Sequence, residues 1–247
     1  MRSGYTWTQK TKNTEVSTKP LPLYIVIKSG LKICSLSLAF DRCTVGSRDG
    51  TVRVYRSCQI TSTIRLPSGV CGLLWNKTGR MLACGTNDNT VFIYKHDGVE
   101  LTLHSKFTKH LSGIKAIYWE TDTQILTGGG LDCGKVYSWD VNRPNRYSLV
   151  AVCEGQVTGV ARRPDESIII SLGHCWDKES RTGLLVWKTG KIVAKYEFSG
   201  LLGSVGVTGM SVNELFIVAA CKGGNVRLFR LPKTSVAFEE NKYIKIR

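Results

Sequence analysis

Residues 45–55 read VGSRDGTVRVY and residues 84–94 read CGTNDNTVFIY. Each is an apolar run ending in small residues, a turn built on Asp with Gly or Asn, and then alternating apolar residues closed by an aromatic. Alternation with a period of two puts every second side chain on one face of an extended chain, which is the pattern of a half-buried strand. The turn residues Asp49-Gly50 and Asp88-Asn89 suit a tight hairpin, because such turns require residues that tolerate positive φ. The same unit returns as TGGGLDCGKVYSW (127–139), SLGHCWDKESRTGLLVW (171–187) and AACKGGNVRLF (219–229). Its closing aromatics are Tyr55, Tyr94, Trp139, Trp187 and Phe229, spaced 39, 45, 48 and 42 residues apart.

A second extended run precedes each unit: ICSLSLAF (33–40), VCGLLWN (70–76), IKAIYWE (114–120), QVTGVARR (156–163) and SVGVTGMS (204–211). No stretch of a dozen residues carries a helical stripe. The period brackets that of a four-stranded WD-repeat blade. The chain is therefore read as an all-β, WD-repeat β-propeller with five recognisable blades, each of Val52, Val91, Val136, Val186 and Val226 lying on a buried strand. Residues 33–231 hold the blades. Residues 1–32 form a basic lead segment, read as the remnant of an earlier blade that Trp7 would close, and 232–247 a flexible tail ending in Ile-Arg.

The 247 residues carry 34 Lys and Arg against 19 Asp and Glu, a net charge of +15. That excess draws a protein towards acidic partners, but no basic stripe is interleaved with aromatics in the way that stacks bases, so nucleic acid is disfavoured. Nine cysteines are scattered without metal-ligand spacing, which points to a reducing compartment and against a disulfide framework. The polar opening residues and the Pro22-interrupted run Leu21–Ile27 give no signal peptide and no membrane span. The four histidines, at 96, 104, 110 and 174, show no ligand spacing. Gly128-Gly129-Gly130 sits in a strand-turn-strand unit, lacks the helix that a phosphate loop requires, and reads as close backbone packing. His174 lies with Trp176 and Asp177 in an unusually long turn, a surface contact or an insertion. No catalytic residue, metal site or cofactor is expected, and a binding module is.

Taken in order, CSLSL with GSRDGTV, VCGLLWNKTGRMLACGTNDNTVFIY, FTKHLSGIKAIYWETDTQILTGGGLD, and QVTGVARRPDESIIISLGH with GLLVWK resemble the blades of the fizzy and fizzy-related proteins. These are WD-repeat coactivators of the anaphase-promoting complex, a ubiquitin ligase. The parts most specific to that family are GTNDN at 85–89, FTKH to KAIYW at 107–119, TGGG at 127–130 and GH at 173–174. The chain ends Ile246-Arg247, and members of the family end in an Ile-Arg tail that docks on scaffold subunits of the ligase. Such a tail offers an apolar side chain, a guanidinium and a carboxylate together.

The resemblance implies a seven-bladed family fold, of which the first two blades and the activating C-box are not found in these residues. The family's destruction-box groove lies between its first and last blades. Its KEN-degron receptor positions fall on Asn87, Asn89 and Gln156, residues that equally suit the capping of turns at blade tops. Leu131 stands where the family has a polar Thr, and Ser204 where it has an Arg. Loss of that Arg removes a charge-assisted partner worth about 1.5–3 kcal/mol, so degron binding is expected to be weakened or altered. The implied role is that of a non-enzymatic, divergent coactivator-type subunit acting in mitotic or meiotic protein degradation. Its partners would be ligase scaffold subunits and degron-bearing cell-cycle proteins, in nucleus and cytoplasm. The alternative is a general WD-repeat scaffold whose basic surface binds an acidic protein or nucleic acid.

Overall fold

The computed structural model of the chain describes residues 30, 32–130, 134–173, 182–198, 206–213, 215–222 and 224–230, and the backbone of 239–245. Among these residues all regular structure is β, in five four-stranded antiparallel sheets. Blade 1 is β1 (Ile33–Ala39), β2 (Arg42–Ser47), β3 (Thr51–Arg56) and β4 (Gln59–Arg65), and blade 2 is β5 (Val70–Trp75), β6 (Met81–Thr86), β7 (Val91–His96) and β8 (Leu101–Phe107). Blade 3 is β9 (Ile114–Trp119), β10 (Gln124–Gly129), β11 (Lys135–Asp140) and β12 (Arg143–Val152). Blade 4 is β13 (Gln156–Arg162), β14 (Ile168–Gly173), β15 (Gly183–Lys188) and β16 (Lys191–Glu197). Blade 5 is β17 (Val207–Val212), β18 (Phe216–Cys221), β19 (Asn225–Arg230) and β20 (Glu239–Lys245).

Within each blade the strands pair in chain order, as a meander. The five-bladed reading is thereby met, and the innermost strands of successive blades lie side by side. They do not form a continuous ladder, so their backbone groups need other partners. Ser35 and Ser37 of β1 supply two: the N–H groups of Leu73 and Trp75 donate to their hydroxyls at 2.9 and 3.1 Å. The Trp75 indole N–H donates across the same boundary to Thr44 at 2.9 Å, and at the next boundary that of Trp119 donates to the Leu74 carbonyl at 3.0 Å. Close approach also demands small residues. A Cβ on Gly46 would stand 2.5 Å from Val70 Cγ1, and one on Gly128 would overlap Val157, so the expected packing role of the glycine run holds at Gly128.

The tight turns behave as their residues require. Gly50 has φ +87 and Asn89 φ +68, the left-handed conformation that Gly tolerates freely and Asn better than most. Asp49 accepts from the Thr51 N–H at 3.0 Å and from the Ser47 hydroxyl. The Ser47 hydroxyl foremost, then the Thr51 N–H, holds its carboxyl down to about 2. In blade 2 the Thr86 hydroxyl reaches Asp88 and the Thr90 carbonyl in the same way.

Val52, Val91, Val136 and Val186 are each 0 or 1% exposed, as the alternation requires. Val226 differs, being only half-buried, because it lies on the face of blade 5 turned away from blade 4, where Val218 is also 38% exposed. A second difference concerns the tail. The sequence reading assigned 232–247 to a flexible tether, whereas Glu239–Lys245 pairs along the whole of β19 as the outer strand of blade 5. The unpaired edge that β19 would otherwise present supplies the reason.

Candidate functional site

In blades 1 and 2 the turn joining the second and third strands lies on the same face as the connections 66–69 and 108–113 from the outer strands to the next blade. Asn87, exposed in the turn between β6 and β7, occupies a junction there. Its N–H donates to the Gly69 carbonyl at 2.9 Å, and its side-chain Oδ1 accepts from the Cys71 thiol at 2.7 Å. A Cβ on Gly113, at the entry to blade 3, would stand 3.3 Å from Asn87 Cα. A Cβ on Gly130 would in turn stand 2.9 Å from the Gly113 carbonyl and 3.6 Å from Gln156 Nε2. Gln156 opens β13, half-buried, with Oε1 directed towards Gly173.

Asn87, Gly113, Gly130 and Gln156 thus form a continuous ridge across blades 2 to 4. The glycines keep it low, which leaves two carboxamide side chains as its main hydrogen-bonding features. A carboxamide both donates and accepts, so this ridge is equipped to read a peptide's polar groups. Burial pushes the Cys71 thiol up from its ordinary value, with Lys115 opposing, so this cysteine serves as a hydrogen-bond donor to Asn87 and not as a nucleophile.

Asn89 does not join the ridge. It is half-buried, and its left-handed backbone is the turn's geometric requirement. Of the three positions that the resemblance singles out, the structure therefore joins two, Asn87 and Gln156, through Gly113 and Gly130. Leu131, His174, Trp176, Asp177, Ser204, Ile246 and Arg247 lie outside the described residues, as does the lead segment apart from Gly30 and Lys32. Sequence reading missed Cys71, Gly113 and Gly130 as parts of this surface. Their only signal was recurrence at the blade junctions, where a small residue repeatedly meets the following blade.

Among the described residues no group of three or more His, Cys, Asp or Glu is placed to hold a metal ion. His110 is 3% exposed, with Nε2 at 2.8 Å from the Thr127 hydroxyl, and burial lowers its pKa to about 4. A ring so enclosed is a core group, out of reach of substrate.

Comparison with known proteins fits this picture. Residues 58–95 match the family model described as WD domain, G-beta repeat. The chain is 26% identical over 217 residues to cell division cycle 20.5, cofactor of APC complex, from Arabidopsis thaliana, a match covering 81% of this chain and 47% of that protein. It is 28% identical over 165 residues to protein FIZZY-RELATED 2 from the same plant, covering 64% of this chain and 32% of the relative. The chain is thus a WD-repeat relative of the cell division cycle 20 and fizzy-related proteins, as its blade motifs implied, and it spans about half the length of the curated relatives it matches. Among solved structures, a chain of the mitotic checkpoint complex superposes with a TM-score of 0.67 at 21% identity, over 79% of this chain and 60% of that one. That likeness concerns the fold.

Proposed function

We propose that the chain is a substrate-recognition, coactivator-type subunit of the anaphase-promoting complex, working in cell-cycle protein degradation by binding and not by catalysis. The observation that carries this reading is the similarity over 81% of the chain to a named cofactor of that complex. The ridge joining Asn87 to Gln156 supplies the matching geometry. In this reading the ridge holds a KEN-type degron, the carboxamides pairing with the degron's polar groups. Ile246 and Arg247 dock on scaffold subunits of the ligase, in nucleus and cytoplasm.

The paired strand Glu239–Lys245 refines the docking step. It anchors the chain at the edge of blade 5 to within two residues of the terminus, so Ile246-Arg247 would be presented from a fixed point and not from the end of a long tether. A shorter tether raises effective concentration at a nearby pocket. The test is a pull-down of the full chain and of a variant lacking its last two residues, probed for ligase subunits. Loss of those subunits with the propeller still folded supports the docking role. Unchanged recovery rejects it, and failure of the full chain to recover them rejects the coactivator reading.

A further inference from the structure

Between blades, large side chains fill the space. Phe107 from blade 2 stacks on Trp139 of blade 3 with ring centroids 4.6 Å apart, and Tyr196 and Phe198 from blade 4 pack on Phe229 of blade 5 at 5.0 and 5.9 Å. Where the inner strands end, at the face opposite the ridge, a cavity of 510 Å³ stays open. Its wall draws on every blade: Leu38 and Phe40 from blade 1, Leu74 from blade 2, Ile117 from blade 3, Val160 from blade 4 and Met210 from blade 5. Leu38 is 69% and Phe40 80% exposed, so the mouth is apolar as well as the wall.

The polar groups of the wall are largely committed to the protein. Asn76 Oδ1 accepts from the N–H groups of Arg80 and Met81, each at 3.0 Å, and its Nδ2 donates to Asp122 at 2.8 Å. The Tyr118 hydroxyl donates to the Arg162 carbonyl at 3.2 Å, and the indole N–H groups of Trp75 and Trp119 are bonded between blades. The Ser211 hydroxyl and the exposed Lys77 ammonium remain without a partner among the described residues. Asp122, close to Lys77 in the fold, accepts from Asn76 and Thr78 instead. A recess of 330 Å³ continues from the cavity past Lys77 and Tyr118, and the carboxylate it contains, Glu120, is held by Arg162. Lys77 is thus the one charged residue among the described residues of the cavity wall, and no carboxylate there answers it.

We propose that this cavity binds a small aromatic carboxylate, with its ring against Leu38, Ile117 and Met210 and its carboxylate on the Lys77 ammonium. The volume falls within the range of small-molecule pockets, about 300–1,000 Å³. An aromatic ring suits the wall because a thioether attracts ring edges and because Phe40 and Tyr118 offer ring partners. Lys77 sets the sign of the ligand's charge. The site lies at the other end of the inner strands from the ridge, and it does not depend on the ligase role.

The probe is 2-naphthylacetate, titrated into the full chain with labelled Ile, Leu, Val and Met methyl groups and followed by NMR. Saturable shifts are expected at Leu38, Ile117 and Met210, with a dissociation constant below about 1 mM. Replacing the carboxylate by an ammonium, as in 2-(2-naphthyl)ethylamine, should weaken binding at least tenfold, and acetate alone should give no saturable shift at these methyls. Lys77→Gln changes an exposed side chain and should weaken 2-naphthylacetate about tenfold, the loss of one charge-assisted hydrogen bond. Leu38→Glu, also at an exposed position, sets a carboxylate at the mouth and should weaken it at least tenfold. Absence of saturable shifts, shifts lying elsewhere, equal binding of the amine, or unchanged affinity in either variant would each overturn the assignment. Shifts of the same methyls that grow with protein concentration in the absence of probe would give the cavity to a second copy of the chain, and would overturn it too.

Discussion

Lowering the pH should destabilise the propeller through one residue. His110 is nearly fully buried, flanked by Tyr137 at 5.0 Å and Trp139 at 6.3 Å, and its Nε2 meets the Thr127 hydroxyl, which also accepts the Trp139 indole N–H at 2.7 Å. A neutral ring fits here with its Nδ1 left unpartnered among the described residues, whereas an imidazolium would be a buried charge with no carboxylate hydrogen-bonded to it. Burial therefore lowers the pKa from 6.5 to about 4. Between those values the unfolded chain binds the proton and the folded chain does not, so stability falls as pH drops from 6.5 and stops falling below about 4. At 1.36 kcal/mol per unit, the full loss is about 3 kcal/mol, of which about 2 kcal/mol is already lost at pH 5. Urea unfolding of the wild type and of His110→Gln at pH 7.5 and 5.0 isolates the effect, because carboxylates titrate alike in both. The wild type should lose about 2 kcal/mol more than the variant. Equal pH dependence, or a His110 ring signal titrating by NMR near 6.5, would refute the reasoning.

Other perturbations follow from contacts already described. Replacing Phe107 with Ala should cost about 3–5 kcal/mol in urea unfolding, since it removes the ring stacked on Trp139 between two blades. Ser37→Ala should cost about 1–3 kcal/mol by the same assay, because the buried Trp75 N–H loses its acceptor. The double change Asn87→Ala with Gln156→Ala should weaken a KEN-type peptide about tenfold by fluorescence anisotropy while leaving the thermal midpoint in place, and unchanged affinity would remove the ridge from degron binding. Asn89→Ala should cost about 1 kcal/mol of stability, which Asn89→Gly recovers, as expected for a residue held at positive φ.

Three strands of every blade were legible because their determinants are local. Alternation, β-branched side chains and a closing aromatic all fall within a dozen residues. The outer strands were not, and β4 shows why. QITSTIR is exposed or half-exposed along its length, so neither face is marked by a run of apolar residues. The turn that leads into it, Ser57-Cys58, places both residues at positive φ, 47 and 68, without a glycine to announce it. Pairing with β3 fixes that conformation, and pairing is not local information. β20 eluded the reading for the same reason, since EENKYIK looks like solvated tail until the free edge of β19 is taken into account.

The site was legible to the same limit. GTNDN carries two asparagines two residues apart, and nothing in the five letters separates them. The backbone does: Asn89 is consumed by the turn, while Asn87 is turned outwards and held by groups from its own blade's entry and from the entry to blade 3. Those partners, Cys71 and Gly113, lie 16 and 26 residues away in sequence, on either side of the turn. Their meeting depends on how closely the inner strands approach, which is set by glycines at the boundaries and by the size of the side chains between the blades. A substitution between blades can therefore alter the spacing of the turn face without touching any residue on it. Cys153→Phe, in the core that blades 3 and 4 share, tests this: if it wedges the two blades apart, Gln156 moves relative to Gly130, and peptide binding on the ridge changes.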